Sequence, residues 1–548
     1  MRPERENNVR PRGPCASVLP MSETPQNERL RAILEEEGLR SEFPAAVIAE
    51  TRGHVRAPKI DDPLLSDLTA LPFVTIDGPT STDLDQALFV ERRGDGFRVY
   101  YALADAAHFA PTRSALFREA LARGATYYFP GFAVPMLPHE LSSGLTSLNP
   151  EVDRRSLVFV TDLDQDGEVV HTMVERARVR SRKKMSFGEV QRRYDDPVPA
   201  HAADAFDESL LLLREVGERR LALSQLADVV RYRRRELDVK APSGPSRPLV
   251  VVEAVRDRVE LYNEQISLLV NREGGRLLFE SKNPRLQPVY RVHPAPDPEK
   301  LEALRALTAA VTRARALSPD RFTLGPGQKL SRFVSGLGRE TVHTRVARAL
   351  ERQAILVNMR SALSTEPARH FGVGAEVYAR FSAPMREVVG IFLHKEMLEL
   401  VGAEAPGEDS VDEALREQVV VSANRARDTQ RRVNDKVNRA AMDDFFRADL
   451  DRPKDSRPVH RGTVMGITPS KVHVELDAVG MDVKLYVRDL GRLLGGAWLE
   501  LRDDGAVLGV RGSELRVVTL GDCVDIRALH HDKEQDRWVF SLDVVEGG

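Results

Sequence analysis

Cysteine is nearly absent from this 548-residue chain, which contains only Cys15 and Cys523. Two cysteines so far apart argue against a disulfide framework or a zinc site, and they fit a reducing cytoplasm. Apolar runs of membrane-spanning length are also lacking, so we expect no membrane partner. The first 20 residues have no apolar centre like that of a secretory signal, and we predict that 1–20 form a disordered tail.

A strong excess of one charge is missing as well, because 80 basic residues face 83 acidic ones and the net charge is −3. Any nucleic-acid-binding surface must therefore be local. Charged residues make up 30% of the chain and hydrophobic residues 42%, which is ordinary for a globular protein. At this length we expect several domains around substantial cores.

The most informative stretch is FVTIDGPTSTDLDQALF at 73–89, in which three aspartates lie between two apolar runs. Asp83 and Asp85 are two residues apart and can share one face of a strand. A Gly-Pro turn signal follows Asp77 and allows the chain to fold back toward them. Carboxylates that converge in this way suit Mg²⁺ or Mn²⁺, and metal ions held by carboxylates commonly cut phosphodiesters. A solvated acidic loop is the alternative.

Helix and strand patterns divide the chain before residue 450 into two unequal parts and predict an α+β fold. Two short helical patterns broken at Gly38 predict a small helical N-terminal domain over 21–60. A helix-turn-helix is one arrangement that fits it, which keeps a DNA-directed protein as a minor alternative. From 61 to 450 the patterns alternate as in a mixed α/β core. Strands are predicted at 72–77, 86–92, 97–103, 156–163 and 168–174, and helices at 114–123, 205–235 and 257–280.

The surroundings of the aspartates resemble the RNase II family and its RNB catalytic domain. The resemblance continues through YYALADAAHF (100–109), FREALARGATYYFPGFAVPMLPHELSSGLTSLNPEVDR (117–154), YRVHPAPDPEKLEAL (290–304) and LSTEPARHFGVGAEVYARFSAPMREVVGIFLH (363–394). It covers most of 60–546. It implies an RNB core over 61–450 and a processive, hydrolytic 3′→5′ exoribonuclease that uses Mg²⁺, or Mn²⁺ in its place, and releases nucleoside 5′-monophosphates.

The stretches VHRGTVMGITPSKVHVEL (459–476) and LGDCVDIRALHHDKEQDRWVFSLDV (520–544) resemble the first and last parts of an S1 domain, an OB-fold β-barrel that binds RNA. A linker, DRPKDSRP, precedes it, and apolar residues alternate at 472–476 as in a barrel strand. OB folds hold single strands on a basic, partly aromatic face, for which Lys471 and Tyr486 are our candidates. We therefore predict an S1-like RNA-binding domain over 456–546.

By resemblance, Asp77, Asp83 and Asp85 match the family's metal and catalytic aspartates, and Arg386 matches its active-site arginine. We expect the loss of Asp85 to hurt the chemistry most. The family has a fourth aspartate where this chain has Gln86. A glutamine carbonyl can ligate a cation but brings no charge, so we expect a weaker hold on one metal ion. The alternative is a catalytically weakened or inactive RNA-binding protein.

Three further residues match family positions that contact RNA. Tyr128 and Phe187 match aromatics that stack on bases, and Glu264 matches a glutamate at the terminal nucleotide. Another family aromatic falls near Val239, which would weaken the clamp on the terminal base. The expected partner is single-stranded RNA or RNA with a 3′ overhang, and the expected state is a monomer.

Two features bear on how RNA would enter. The cold-shock barrels that often precede the catalytic motif in this family do not appear before residue 60, so we expect better entry into structured RNA from a 3′ overhang. The basic runs at 176–184 and 231–235 either line an RNA channel or form solvated faces. The same choice, between RNA contact and intrahelical ion pairs, applies to the basic side of a helix predicted within 409–448.

Overall fold

The structure, a computed structural model, describes residues 27–196, 199–231, 236–242, 247–254, 256–338, 343–405 and 409–545. The tail predicted at 1–20 lies outside these residues. Within the described part, no helix is long and apolar enough to cross a membrane.

The strands are β1 (Ser66–Asp67), β2 (Phe73–Asp77), β3 (Gln86–Arg93), β4 (Gly96–Ala104), β5 (Tyr127–Phe129), β6 (Phe132–Val134), β7 (Asp153–Leu163), β8 (Val169–Ser186), β9 (Glu236–Lys240), β10 (Val250–Ala254), β11 (Tyr290–Val292), β12 (Ala362–Ser364), β13 (His460–Ile467), β14 (Lys471–Leu476), β15 (Asp482–Tyr486), β16 (Leu499–Arg502), β17 (Val507–Val510), β18 (Arg516–Thr519), β19 (Cys523–Asp532) and β20 (Arg537–Val544).

The helices are α1 (Glu28–Glu36), α2 (Ala45–Arg56), α3 (Ala106–Phe109), α4 (Ala115–Arg123), α5 (Phe187–Asp195), α6 (Asp207–Leu226), α7 (Arg258–Glu280), α8 (Pro298–Ala314), α9 (Pro319–Phe322), α10 (Leu330–Gly336), α11 (Thr344–Val357), α12 (Val388–Leu400), α13 (Asp409–Leu450) and α14 (Val487–Leu493). The α+β fold class predicted from the sequence is confirmed. Two predicted bounds are wrong: the strand predicted at 168–174 continues to Ser186, and the helix predicted at 205–235 ends at Leu226.

The central sheet has the order β1-β8-β2-β3-β4-β7, and β8 also pairs with β7. The long strand β8 pairs along its first part with β7 and along its last part with β2. These pairings close β2, β3, β4, β7 and β8 into a ring. Large side chains such as Phe73, Phe97, Tyr101 and Phe159 are buried in the main apolar core. Removal of their apolar surface from water stabilises the ring.

A helical insertion, residues 298–357, lies between the two short paired strands β11 and β12. Strands β11 and β12 pair antiparallel, so helices α8 to α11 form the loop between them. This insertion has its own apolar core, which also includes Met465 and Val507 of the C-terminal region. Three arginines at helical spacing on α11 pair with acidic residues there: Arg345 with Asp477, Arg348 with Glu475 and Arg352 with Asp482.

The C-terminal region contains a five-stranded antiparallel sheet of order β15-β14-β13-β19-β20 and a three-stranded sheet of order β16-β17-β18. Strand β14 alternates between buried and half-buried residues, as predicted for 472–476. The Asp-Asp-Gly sequence at 503–505 joins β16 to β17. These strands share a core around Trp538 and Phe540.

Helix α13 connects the N-terminal helix, the hairpin of β5 and β6, and the C-terminal region. Leu30 and Ile33 of α1 lie in one apolar cluster with Val433 and Val437 of α13, whereas α2 packs against α4. At its other end, Asp443 of α13 accepts a hydrogen bond from the Trp538 indole at 2.8 Å.

Three basic side chains of α13 pair with residues of other parts of the fold. Arg432 lies 2.9 Å from Glu37, Lys436 lies 2.6 Å from Glu37, and Arg439 lies 2.8 Å from Asp536. These residues therefore do not form the intrahelical pairs that the sequence suggested. They pair instead with Glu37, which directly follows α1, and with Asp536 between β19 and β20.

Candidate active site

The aspartate loop joins β2 to β3 and folds back as the sequence predicted. Asp77 is the last residue of β2, and Asp85 directly precedes β3. The Ser81 amide donates to the Gly78 carbonyl at 3.1 Å, which closes a turn between them. One oxygen of Asp77 accepts from the Gly78 amide at 2.7 Å and from the Ser81 hydroxyl at 2.8 Å.

Two residues hold this loop in place: Ser147, which the sequence analysis did not single out, and Lys184, the last residue of the basic run at 176–184. The Ser147 hydroxyl accepts from the Leu84 amide at 3.0 Å and donates to the Thr82 carbonyl at 2.9 Å. The Lys184 ammonium donates to the Pro79 carbonyl at 3.1 Å. The loop therefore has a fixed shape, and its carboxylates are directed by hydrogen bonds to the backbone and to hydroxyl groups.

Asp85 is fully buried and binds the turn that carries Arg386. One carboxylate oxygen accepts from the Met385 amide at 2.9 Å, and the other is paired with the Arg386 guanidinium. Burial raises the pKa of Asp85 to about 6, against the lowering effect of the guanidinium. Burial also raises the pKa of Asp83, whose carboxylate lies 3.4 Å from the Tyr128 hydroxyl. The site thus holds partly desolvated carboxylates with a single guanidinium against them.

Asn271 shapes the chain just before Arg386, and no local motif marked it. This fully buried residue of α7 accepts from the Phe381 amide at 2.7 Å and from the Ser382 amide at 3.1 Å. Its amide nitrogen donates to the Tyr378 hydroxyl at 3.0 Å. One buried side-chain amide therefore satisfies the backbone of the turn that carries the guanidinium.

Gln86 is engaged by the core of the ring. Its side-chain carbonyl accepts a hydrogen bond from the Tyr101 hydroxyl at 2.7 Å, and Tyr101 is fully buried. Burial raises the pKa of Tyr101, so its hydroxyl remains a donor. The carbonyl retains one lone pair for a cation.

The donor set of the aspartate loop fits a divalent cation. All its ligand atoms are oxygens, and three carboxylates face one guanidinium. The cluster is open: among the described residues, the one trio whose ligand atoms all lie within 4.8 Å of one another is Glu396, Glu399 and Asp412.

The candidate RNA-contacting residues lie in different settings. Tyr128 is 41% exposed with its hydroxyl toward Asp83, whereas Phe187 begins α5 and packs against the main core. Glu264 is exposed on α7 and paired with Arg256 at 3.1 Å. Val239 is buried in the apolar cluster along α13, away from solvent.

The basic run at 176–184 is paired within the protein. Arg176 lies 2.7 Å from Asp105, Arg178 lies 2.6 Å from Asp67, and Arg180 lies 2.6 Å from Asp153. These arginines therefore fix the edges of β8. Most of the second basic run, 232–235, lies outside the described residues.

In the C-terminal sheet, Lys471 and Tyr486 are cross-strand partners. The Lys471 ammonium lies 5.3 Å from the Tyr486 ring centroid, and the Arg537 guanidinium lies 4.2 Å from it. The tyrosine and two cations thus form one cluster, as cation–π attraction favours.

The chain is similar in sequence to curated proteins named Ribonuclease R. Ribonuclease R of Escherichia coli is 26% identical over 495 residues, which cover 87% of this chain and 57% of that protein. Ribonuclease R of Vibrio parahaemolyticus is 28% identical over 353 residues, which cover 62% of this chain and 39% of that protein. The chain thus spans about half the length of these curated relatives.

Solved structures share the fold. Mycoplasma genitalium RNase R in complex with ribose-methylated single-stranded RNA superposes with a TM-score of 0.80 at 20% identity, covering 94% of this chain and 77% of that one. The same enzyme in complex with double-stranded RNA gives 0.70 at 20% identity over 94% and 82%. Yeast Ssd1, a pseudonuclease, gives 0.66 at 14% identity over 88% and 58%. The family model described as the RNB domain matches residues 65–401, more than half of the sequence, and the chain therefore belongs to the RNB domain family.

Proposed function

We propose that this protein is a hydrolytic 3′→5′ exoribonuclease that degrades RNA processively to nucleoside 5′-monophosphates. Its substrate is single-stranded RNA or RNA with a 3′ overhang, and it acts as a monomer in the cytoplasm. The observation that carries the proposal is the ion pair between buried Asp85 and partly exposed Arg386 beside the open aspartate loop, in a chain whose relatives are named Ribonuclease R.

The site residues divide the work between holding a cation and holding RNA. Asp77, Asp83 and Asp85, with the Gln86 carbonyl, would hold Mg²⁺ or Mn²⁺. A divalent cation there would act as a Lewis acid on the phosphodiester. The Arg386 side chain is 32% exposed, so its free edge can bind a phosphate oxygen while Asp85 orients it.

The RNA contacts follow from the exposed side chains. The ring of Tyr128 can stack on a base beside Asp83, and such stacking tolerates any sequence. Glu264 is open to solvent and can accept hydrogen bonds from ribose hydroxyls, which would favour RNA over DNA. The C-terminal region, 456–546, would hold the strand outside the core as an S1-like OB fold, with Lys471 and Tyr486 on its binding face.

We extend the proposal to structured RNA entered from a 3′ overhang. The support is the structural likeness to an RNase R solved with double-stranded RNA. A duplex with a 3′ overhang should be digested past the junction. Digestion that stops at the junction, while the overhang alone is removed, would contradict this extension.

The proposed function is tested with 5′-labelled single-stranded RNA and Mg²⁺ on a sequencing gel, comparing the wild type with Asp85→Asn. The wild type should give a shrinking ladder that ends in a short labelled core. We expect the variant to lose about three orders of magnitude in rate, because several kcal/mol of charge stabilisation depend on the metal site. Equal ladders from both proteins would reject the assignment of this site.

A second candidate function is RNA binding without hydrolysis. Two observations favour it: Gln86 stands at a family aspartate position with its carbonyl on Tyr101, and the fold is shared with a pseudonuclease. Tight RNA binding with no mononucleotide release in either Mg²⁺ or Mn²⁺ would establish it.

A further inference from the structure

The hairpin that carries Tyr128 presents an open strand edge next to the aspartate loop. Strands β5 and β6 pair with Tyr128 opposite Ala133 and Phe129 opposite Phe132. In an antiparallel pair, alternate residues direct their amide and carbonyl groups away from the partner strand. Those outward groups need partners from elsewhere in the fold.

Gln430 of α13 supplies both partners for Tyr128. Its side-chain carbonyl accepts from the Tyr128 amide at 2.9 Å, and its amide nitrogen donates to the Tyr128 carbonyl at 3.1 Å. The same nitrogen donates to Asn434, one helical turn further on, at 2.8 Å, which fixes the orientation of the amide. One side chain thus replaces the peptide group of a missing neighbouring strand, across 302 residues of sequence.

The rest of the hairpin is held independently of Gln430. The rings of Phe129 and Phe132 are stacked with centroids 4.6 Å apart, and both are buried. The Tyr127 hydroxyl donates to the Arg123 carbonyl at 2.7 Å. The hairpin therefore has its own anchors. What Gln430 adds is the position of Tyr128, which is exposed and whose hydroxyl faces Asp83.

We propose that Gln430 is a positioning residue for the RNA-binding site: it holds Tyr128 so that the ring meets a base of the strand lying at the aspartate loop. This inference rests on the proposed function, since it needs RNA at that loop. Stacking acts on bound RNA both before and during hydrolysis. Loss of Gln430 should therefore raise KM and leave kcat nearly unchanged.

The test is a double-mutant cycle on single-stranded RNA with Mg²⁺, using Gln430→Ala, Tyr128→Ala and the double variant. Gln430→Ala should raise KM about 5-fold, because two hydrogen bonds to the Tyr128 backbone are lost. In the Tyr128→Ala background the same change should alter KM by less than about 2-fold, since no ring remains to be positioned. If Gln430→Ala folds poorly, Gln430→Met is used in its place. Methionine fills a similar volume without these hydrogen bonds, and the variant should show the same rise in KM.

Gln418→Ala, an exposed glutamine three turns earlier on α13, is the matched control and should change neither KM nor the melting temperature. An equal KM effect with and without the Tyr128 ring would overturn the proposal, as would a fall in kcat at constant KM. A wild type that releases no mononucleotides would instead reject the proposed function. In that case Kd for the same RNA is measured for the wild type and the three variants. A rise in Kd for Gln430→Ala that disappears in the Tyr128→Ala background supports the role of Gln430, and an equal rise in both backgrounds overturns it.

Discussion

The protein contains two carboxylate clusters, the aspartate loop and the trio of Glu396, Glu399 and Asp412. Each is paired with a basic side chain, Arg386 for the loop and Lys395 for the trio. Lys395 reaches all three members of the trio defined above, with Nζ–oxygen distances of 2.8 Å to Glu396, 3.0 Å to Glu399 and 2.6 Å to Asp412. In the aspartate loop, Asp85 pairs with Arg386, and Asp77 accepts hydrogen bonds from a backbone amide and a serine hydroxyl.

The contrast shows that acidic residues alone do not identify a metal site. The trio is compact because an ammonium ion, built into the chain, occupies its centre. Burial lowers the pKa of Lys395, but Glu396 and its other partners more than offset this, so the pKa lies above its ordinary value and the charge is permanent. The aspartate loop is more open and is only partly compensated, which suits a cation that comes from solution.

The largest expected effect is on stability at the trio. Lys395→Ala should lower the free energy of unfolding by about 3–5 kcal/mol, because three buried carboxylates lose their cation. Urea denaturation measures this loss, and Mg²⁺ should restore part of it by entering the trio. Lys454→Ala, at an exposed lysine, is the control and should change stability by less than about 0.5 kcal/mol. Similar losses in the two variants would remove the distinction between the clusters.

The next effect concerns metal affinity at the aspartate loop. Gln86→Asp should tighten Mg²⁺ binding about tenfold, because a fourth negative charge is added near the cation. Calorimetric titration of the RNA-free protein measures it. Tyr101→Phe removes the hydroxyl that donates to Gln86 without changing the charge of the site, and should change the affinity by less than about 3-fold. A larger effect from Tyr101→Phe would mean that the tyrosine, rather than the missing charge, governs the site.

The last effect develops only below pH 6.5 and arises at His394 of α12. Its ring contacts the Phe381 carbonyl at 3.1 Å, and burial lowers its pKa to about 4. The unfolded chain binds the proton near pH 6.5, so stability is full above that pH and falls toward pH 4 by about 1.4 kcal/mol per unit. His394→Gln should reduce this slope in urea unfolding, whereas His171→Gln, at an exposed residue, should leave it unchanged. An unaltered slope in His394→Gln would contradict the assignment.

The sequence predicted the strands that a regular pattern of apolar residues marks. It did not predict the second half of β8, whose charged residues form ion pairs with distant parts of the chain. Strands β2, β3 and β4 lie close to their predicted bounds because apolar residues mark them. The second half of β8 was missed because its arginines suggested a solvated or RNA-binding run. They instead pair with acidic residues such as Asp67, Asp105 and Asp153, and those pairings are invisible without the fold.

The site shows the same division. The Gly-Pro turn signal after Asp77 predicted the fold-back, because a turn is a local property. Asp83 and Asp85 were expected to share one face of a strand, but both lie in the loop before β3. Asn271 and Gln430 were missed, since each acts on residues more than 100 positions away and a polar residue in a helix carries no sign of its partner. The roles assigned to Phe187 and Glu264 remain predictions.

Helix α13 also sets the order in which the molecule can be completed during synthesis. A nascent chain that has not reached residue 386 contains Asp85 without the guanidinium of Arg386. One that has not reached residue 430 contains Tyr128 without the hydrogen bonds from Gln430. Translation proceeds from the N-terminus and domains fold as they emerge, so the parts of the site join only after residue 430 has been made. A protein proposed to degrade RNA is thereby made on a messenger that its unfinished form is not equipped to attack.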